Sequence, residues 1–291
     1  MNADKAKMKT VKLFFLSMLL MGQLAGAPLI TPEAMARHYK EPLVRVFEYR
    51  DLLKGVHPFV SNLYPIAVAQ DGQFYVFDLD STRTQYRLVT HAPTNMPVPE
   101  GVRAAFPLDF YGGKAACIVT GDVFDTPLGY LTIFHEFIHC HQWETVEPAL
   151  RETLPLARHA AEKQDFMWEM NHPFPYDDDR VEETYRRMLG ALDRGDEEAL
   201  WLNSKALQQM LSPFDYQYMV WQQWKEGFAL FIENKLRQQL GHKINRVGRN
   251  GDFSRLSFYA GGEALIRFLV DQDPDLSTDL EALFRKMMEI G

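Results

Sequence analysis

Residues 128–143 read LGYLTIFHEFIHCHQW, and the spacing inside this stretch decides how the rest of the chain is organised. His135 and His139 stand four residues apart, and Glu136 follows the first of them. On a helix, residues i and i+4 lie one above the other on one face. Two imidazoles so placed can hold one Zn2+ while the carboxylate beside the first points at a metal-bound water. Leu128, Leu131, His135, Ile138, His139 and Gln142 form one stripe, and Ile133, Phe134, Phe137 and Cys140 make the other faces apolar too. A helix that is apolar all round is a buried one. Thr126 followed by Pro127 makes an N-cap and first-turn pair, so the helix is expected to start there, about two turns before the histidines.

Zinc held by neutral imidazoles keeps its full charge and lowers the pKa of its water from 15.7 to about 7. Glu136 is the expected acceptor of that water's proton and the donor to the leaving amine. A catalytic zinc takes three protein ligands and leaves one place open, so a third ligand must be found. Gln142 and Thr145 occupy the positions where a metzincin continuation requires Gly and His, which excludes that class. Downstream, residues 224–233 read WKEGFALFIE and offer Glu226 and Glu233. His159 and Glu162 compete for the third place, while His141, though close in sequence, faces away from His135 and His139.

HEFIH at 135–139 paired with WKEGFALFIE at 224–233 resembles the gluzincin zinc metallopeptidases of the thermolysin and aminopeptidase-N type. In the aminopeptidases an NEGFA-type run carries the glutamate ligand and is followed by another glutamate seven residues on. The resemblance implies one zinc per chain, held by His135, His139 and Glu226, with Glu233 orienting a ligand from behind. It further implies a peptide or protein substrate, and a close approach of the two ligand helices at Gly227 and Ala229. Gluzincins place a tyrosine or histidine from a later helix at the scissile carbonyl. Tyr259, within FYAGG at 258–262, resembles that residue, with a packed core tyrosine as the alternative and His242 and His172 as weaker candidates. The resemblance covers two short motifs, and the chain departs from the family around them. Lys225 stands where the aminopeptidases have Asn, and the gap from His139 to Glu226 is far longer. Residues 112–116 read GGKAA where a glutamate-bearing, amine-capturing run is expected, so cleavage within a chain is expected over removal of N-terminal residues.

Strand patterns come first and helical patterns second, an α+β layout: an N-terminal mixed or antiparallel sheet, then a mainly helical zincin-like half with a helical insert. Within residues 28–125, taken as the β-rich part, LYPIAVAQ, the turn at Asp71-Gly72, QFYVFDLD and QYRLVTH read as strands around a hairpin signal. Residues 44–49 (VRVFEY) fit either a strand or a short helix. A loop containing Pro93, Pro97, Pro99 and Pro107 leads to a further strand at 115–120, placed beside the cleft where it can pair with an extended substrate. Residues 126–291 form the helical part, and an insert at 146–213 is looped out between the ligand helices. Within it, residues 147–163 read as one helix, and 180–188 with 197–211 as a helical pair. Gly195 ends one helix and Asp196 caps the next, while Asp177, Asp178 and Asp179 form a solvated loop and cap.

Residues 1–27 read as a Sec signal peptide, with Lys5, Lys7, Lys9 and Lys12, a short apolar run and an A-x-A site ending at Ala27. Export to the periplasm or medium, with no stable membrane anchor after cleavage, is the expectation. Of 291 residues, 46% are hydrophobic, enough for a core. Removing residues 1–27 takes away four lysines and one aspartate and leaves a net charge of −11, which makes nucleic acid an improbable partner. Cys117 and Cys140 are the two cysteines, either bridged or simply small core residues. An exported zinc metallopeptidase is the leading reading. A catalytically inactive zincin-fold scaffold and a zinc hydrolase of non-peptide substrates are its rivals.

Overall fold

Asp71 and Gly72 both take positive φ, 51° and 72°, as a two-residue hairpin turn requires. They join β1 (Ile66–Gln70) to β2 (Gln73–Leu79). A computed structural model of the chain describes residues 31–95 and 97–290. Residues 1–27, whose sequence reads as a signal peptide, therefore lie outside the described residues. β3 (Tyr86–Pro93) pairs antiparallel with β2, β5 (Lys114–Val119) pairs parallel with β1, and β4 (Arg103–Leu108) pairs antiparallel with β5. The result is a mixed five-stranded sheet of order β3-β2-β1-β5-β4.

Two sequence expectations change here. β4 falls in the stretch read as a proline loop; Pro107 is tolerated because β4 is an edge strand, paired on one side only. β5, expected to offer its backbone to a substrate, has a neighbour on each side, so the free edge belongs to β4. Two helices, α1 (Pro32–His38) and α2 (Lys40–Leu53), also precede the strands. Residues 44–49 lie inside α2, where Leu43, Val46 and Leu53 provide the buried helical face.

α3 (Pro127–Thr145) packs across β4 and β5. Its Ile133, Phe134 and Phe137 join Val68, Phe77, Cys117 and Val119 in the main core, while Ala116 and Ile118 belong to a smaller cluster. The alternation along β5 sorts its side chains between the two sheet faces. Residues 147–163 are two helices, α4 (Glu147–Thr153) and α5 (Pro155–Glu162), instead of one. Pro155 disfavours helical backbone at the residue before it, and Leu154 is extended with ψ 114°. A short α6 (Trp168–Asn171) follows, then α7 (Asp179–Arg194), capped by Asp178 and ended by Gly195 at φ 64°. Asp196 caps α8 (Glu197–Met210).

The long α9 (Pro213–Gln239) and α10 (Arg255–Gln272) pack against each other, and α11 (Leu280–Glu289) closes the chain. A Cβ on Gly227 would fall 2.5 Å from the Gly262 Cα, and one on Gly262 would overlap the Gln223 carbonyl oxygen. Gly227 therefore brings α9 to α10, and not to the histidine helix as its sequence context suggests. Among the described residues no helix is long and apolar enough to cross a membrane.

His57 ties the short 3-10 turn Pro58–Ser61 to the C-terminal part of the chain. Its Nε2 lies 3.0 Å from the Ser277 carbonyl oxygen, and its Nδ1 accepts from the Phe59 N–H at 3.3 Å. Both nitrogens are satisfied by the neutral ring, and a second proton would have to displace the Phe59 N–H. Burial, despite the Ser277 bond and with a further push from Lys235 and His141, lowers the pKa to about 4. The folded value lies below the ordinary 6.5, so this contribution to stability is complete above pH 6.5 and is lost as pH falls toward 4. At pH 4.5 the loss is about 2–3 kcal/mol. Urea unfolding at pH 7.5 and 4.5 should show His57→Gln lacking that share of the acid sensitivity; equal pH dependence in both proteins would contradict the assignment.

Candidate metal centre

Thr126 accepts a hydrogen bond from Gly129 N at 3.1 Å and starts α3, which sets the phase of the two histidines inside the core. Their Nε2 atoms face one another at 3.2 Å. His135 Nδ1 lies 2.9 Å from Glu233 Oε2, and Glu233 Oε1 accepts from Arg237 Nε at 2.6 Å and Asn245 Nδ2 at 3.2 Å. His139 Nδ1 lies 2.9 Å from Gln142 Oε1, while Gln142 Nε2 donates to the Lys225 carbonyl at 3.2 Å. Both acceptors hold a ring proton on Nδ1, so both Nε2 atoms turn toward one space.

Glu226, from α9, closes the group. Its Oε2 lies 3.4 Å from His139 Nε2 and 4.0 Å from His135 Nε2. Ligand atoms from the three residues lie within 4.8 Å of one another, so His135, His139 and Glu226 can hold a metal ion. Among the described residues this is the one such group of histidine, cysteine or acidic side chains. The donor set fits a cation: two lone pairs and a carboxylate oxygen converging on one point repel each other unless positive charge sits between them.

The electrostatics agree. Burial alone would push His135 down, yet the hydrogen bond and charge of Glu233, with Glu136 and Glu226 behind, hold it up at about 9. Burial would raise Glu226, but His139, His135 and Lys225 hold it down at about 2. Glu233 likewise stays at about 2, with His135 and Arg237 overcoming its burial. Glu136 behaves differently. Burial raises its pKa against the pull of both histidines, and its Oε2 is buried without a hydrogen-bond partner.

Tyr259, on the first turns of α10, sits where the Glu226 carboxylate acts on its hydroxyl. Burial first, then the Glu226 charge, pushes its hydroxyl far up, so it remains a donor. The other candidates are engaged elsewhere. His159 packs against the Phe214 ring at 5.2 Å, and Glu162 is exposed on α5. His141 Nδ1 lies 2.8 Å from the Tyr64 hydroxyl, and His172 Nε2 lies 2.7 Å from Asp215. His242 lies in the turn that follows α9 and is absent from the metal group. Cys117 and Cys140 are free and buried, and burial pushes both thiols well up.

Lys225, the departure from the aminopeptidase pattern, is half-buried and ion-paired to Glu147 at 3.1 Å and Glu169 at 2.8 Å. Arg151 bridges the same two carboxylates and lies 5.4–5.5 Å from the ring centroids of Trp143, Trp168 and Trp221. The insert is thus fastened to α9 at the residue before Glu226. Sequence reading did not identify Gln142, Arg237 and Asn245 as supports. The first two carried a signal, lying three and four residues from His139 and Glu233, whereas nothing local marks Asn245.

No family model, curated protein or solved structure matches this chain.

Proposed function

We propose that this chain is a zinc-dependent metallopeptidase of the gluzincin type, exported and working without residues 1–27. The observation that carries the reading is Glu136, whose Oε2 is buried without a hydrogen-bond partner beside a group of two imidazoles and one carboxylate. Two histidines and a glutamate with a fourth place open are the ligand set of hydrolytic zinc. Zinc held by His135, His139 and Glu226 would supply a water of pKa about 7 and would polarise a carbonyl oxygen.

The chain's own residues do the rest. Glu136 accepts the attacking water's proton and returns it to the leaving amine; burial, which raises its pKa, suits its carboxyl to that exchange. The Tyr259 hydroxyl donates to the carbonyl oxygen as it becomes negative. Glu233 and Gln142 fix both histidine rings, so no reorganisation is needed during turnover. The open edge of β4, beside α3, offers main-chain groups to an extended peptide.

A peptide-library assay on purified protein tests this. Internal cleavage that stops with chelator and returns with zinc is the expected result; no cleavage of any peptide by zinc-loaded protein would contradict it. Tyr259→Phe should keep the metal and lose roughly 10- to 1,000-fold in kcat with little change in KM, because an oxyanion donor acts mainly in the transition state. Loss of thermal stability with unchanged turnover would instead mark a packing tyrosine.

A further inference from the structure

Three cations act electrostatically on the ionisable groups of the centre, and they are not alike. Lys225 acts on Glu226 but is neutralised between Glu147 and Glu169. Arg237 acts on Glu233 and is ion-paired to it. Arg255 acts on Tyr259, and its contact among the described residues is the face of that ring rather than a carboxylate. Its guanidinium carbon lies 5.5 Å from the centroid of the Tyr259 ring, one helical turn on along the same face of α10. It is half-buried, and its charge also acts on the Tyr176 and Tyr218 hydroxyls.

Beyond the face of the Tyr259 ring, nothing around the start of α10 offsets a cation there. Arg255 sits in the first turn of α10, where positive charge opposes the helix dipole, and no acidic residue lies in that turn to offset it. A guanidinium lying over a ring keeps its N–H edge for acceptors in its own plane, and that fork matches a carboxylate in bidentate fashion.

We infer that Arg255 is the anchor for a carboxylate on the substrate, held one or two residues from the scissile bond. This rests on the peptidase reading and adds a substrate class to it. The spacing sets the register: four helical residues separate Arg255 from the oxyanion donor, about 6 Å along the axis, and an extended chain advances ~3.4 Å per residue. Two sources of that carboxylate fit the same anchor, the free C-terminus of a peptide and an acidic side chain within a longer one. The other surroundings are neutral hydroxyls, namely Tyr176, Tyr218 and Tyr259, which favour no second charge.

The test compares three peptides of one sequence: one ending in a free carboxylate two residues past the cleaved bond, one amidated there, and one amidated but carrying glutamate at that position. Affinities are measured by calorimetry on zinc-loaded Glu136→Gln protein with and without Arg255→Gln, and kcat and KM are measured with native Glu136. Peptides with a carboxylate should bind the Arg255 protein roughly 10- to 100-fold more tightly than the neutral one, as charge-assisted pairs do. Arg255→Gln should bring that ratio close to one while keeping bound zinc and thermal stability, and Arg255→Lys should restore part of it. Whichever charged peptide shows the gain identifies the source. A ratio near one in the Arg255 protein, a preference that survives Arg255→Gln, or no binding of any of the three overturns the inference. Carboxylate preference in binding with no hydrolysis of any peptide would leave the anchor standing and remove the peptidase reading instead.

Discussion

Glu136→Gln is expected to retain the zinc and the fold and to lose at least 10²- to 10⁴-fold in kcat, the range for a positioned general base. The loss is larger if the same carboxyl also returns the proton to the amine. Stability should not suffer. Burial already disfavours the Glu136 carboxylate, and its Oε2 makes no hydrogen bond that the amide would forfeit. Thermal unfolding of the variant should therefore match or exceed that of the parent. Steady-state kinetics and metal content on the same preparations check this. If parent and variant are equally inert across a broad peptide library while both hold zinc, the chain is a binding or scaffold module and not an enzyme.

The second large effect concerns the ligands. Replacing His135 or His139 with alanine should abolish bound metal, since each removes one of three donors and leaves its support on Glu233 or Gln142 unmatched. Glu226→Gln should weaken zinc by an order of magnitude or more, and Glu233→Gln by roughly 10- to 100-fold, the usual cost of losing an outer-shell partner. Competitive titration against a chelating dye measures all four. Normal affinity in Glu226→Gln with loss in Glu162→Gln would reverse the assignment, although Glu162 is exposed on α5 and absent from the group.

What was legible in the sequence was what local periodicity encodes. His135 and His139 share a helix face at any i, i+4 spacing, and Thr126-Pro127 opens a helix wherever it stands. Asp71-Gly72 likewise dictates its own turn. The α+β layout followed from such signals in series. Most of the errors fall where a distant partner decides. Pro107 reads as a loop residue until β4 is seen to be the sheet edge, and Gly227 reads as a contact toward α3 until Gly262 is seen against it. Pro155 carried a local signal for the break between α4 and α5 that the helical periodicity around it masked. Lys225 was visible only as a mismatch; its partners Glu147 and Glu169 lie 78 and 56 residues away and define its role. Arg255 is silent in sequence for the same reason, because its meaning comes from having a ring and no carboxylate beside it among the described residues.

The most direct test of the central claim is an anomalous difference map collected at the zinc edge from crystals of zinc-loaded protein. The account requires one peak per chain, about 2.0–2.1 Å from the Nε2 atoms of His135 and His139 and about 2.0–2.2 Å from the Glu226 carboxylate. A peak elsewhere, or an empty map with the three side chains undisturbed, would contradict it.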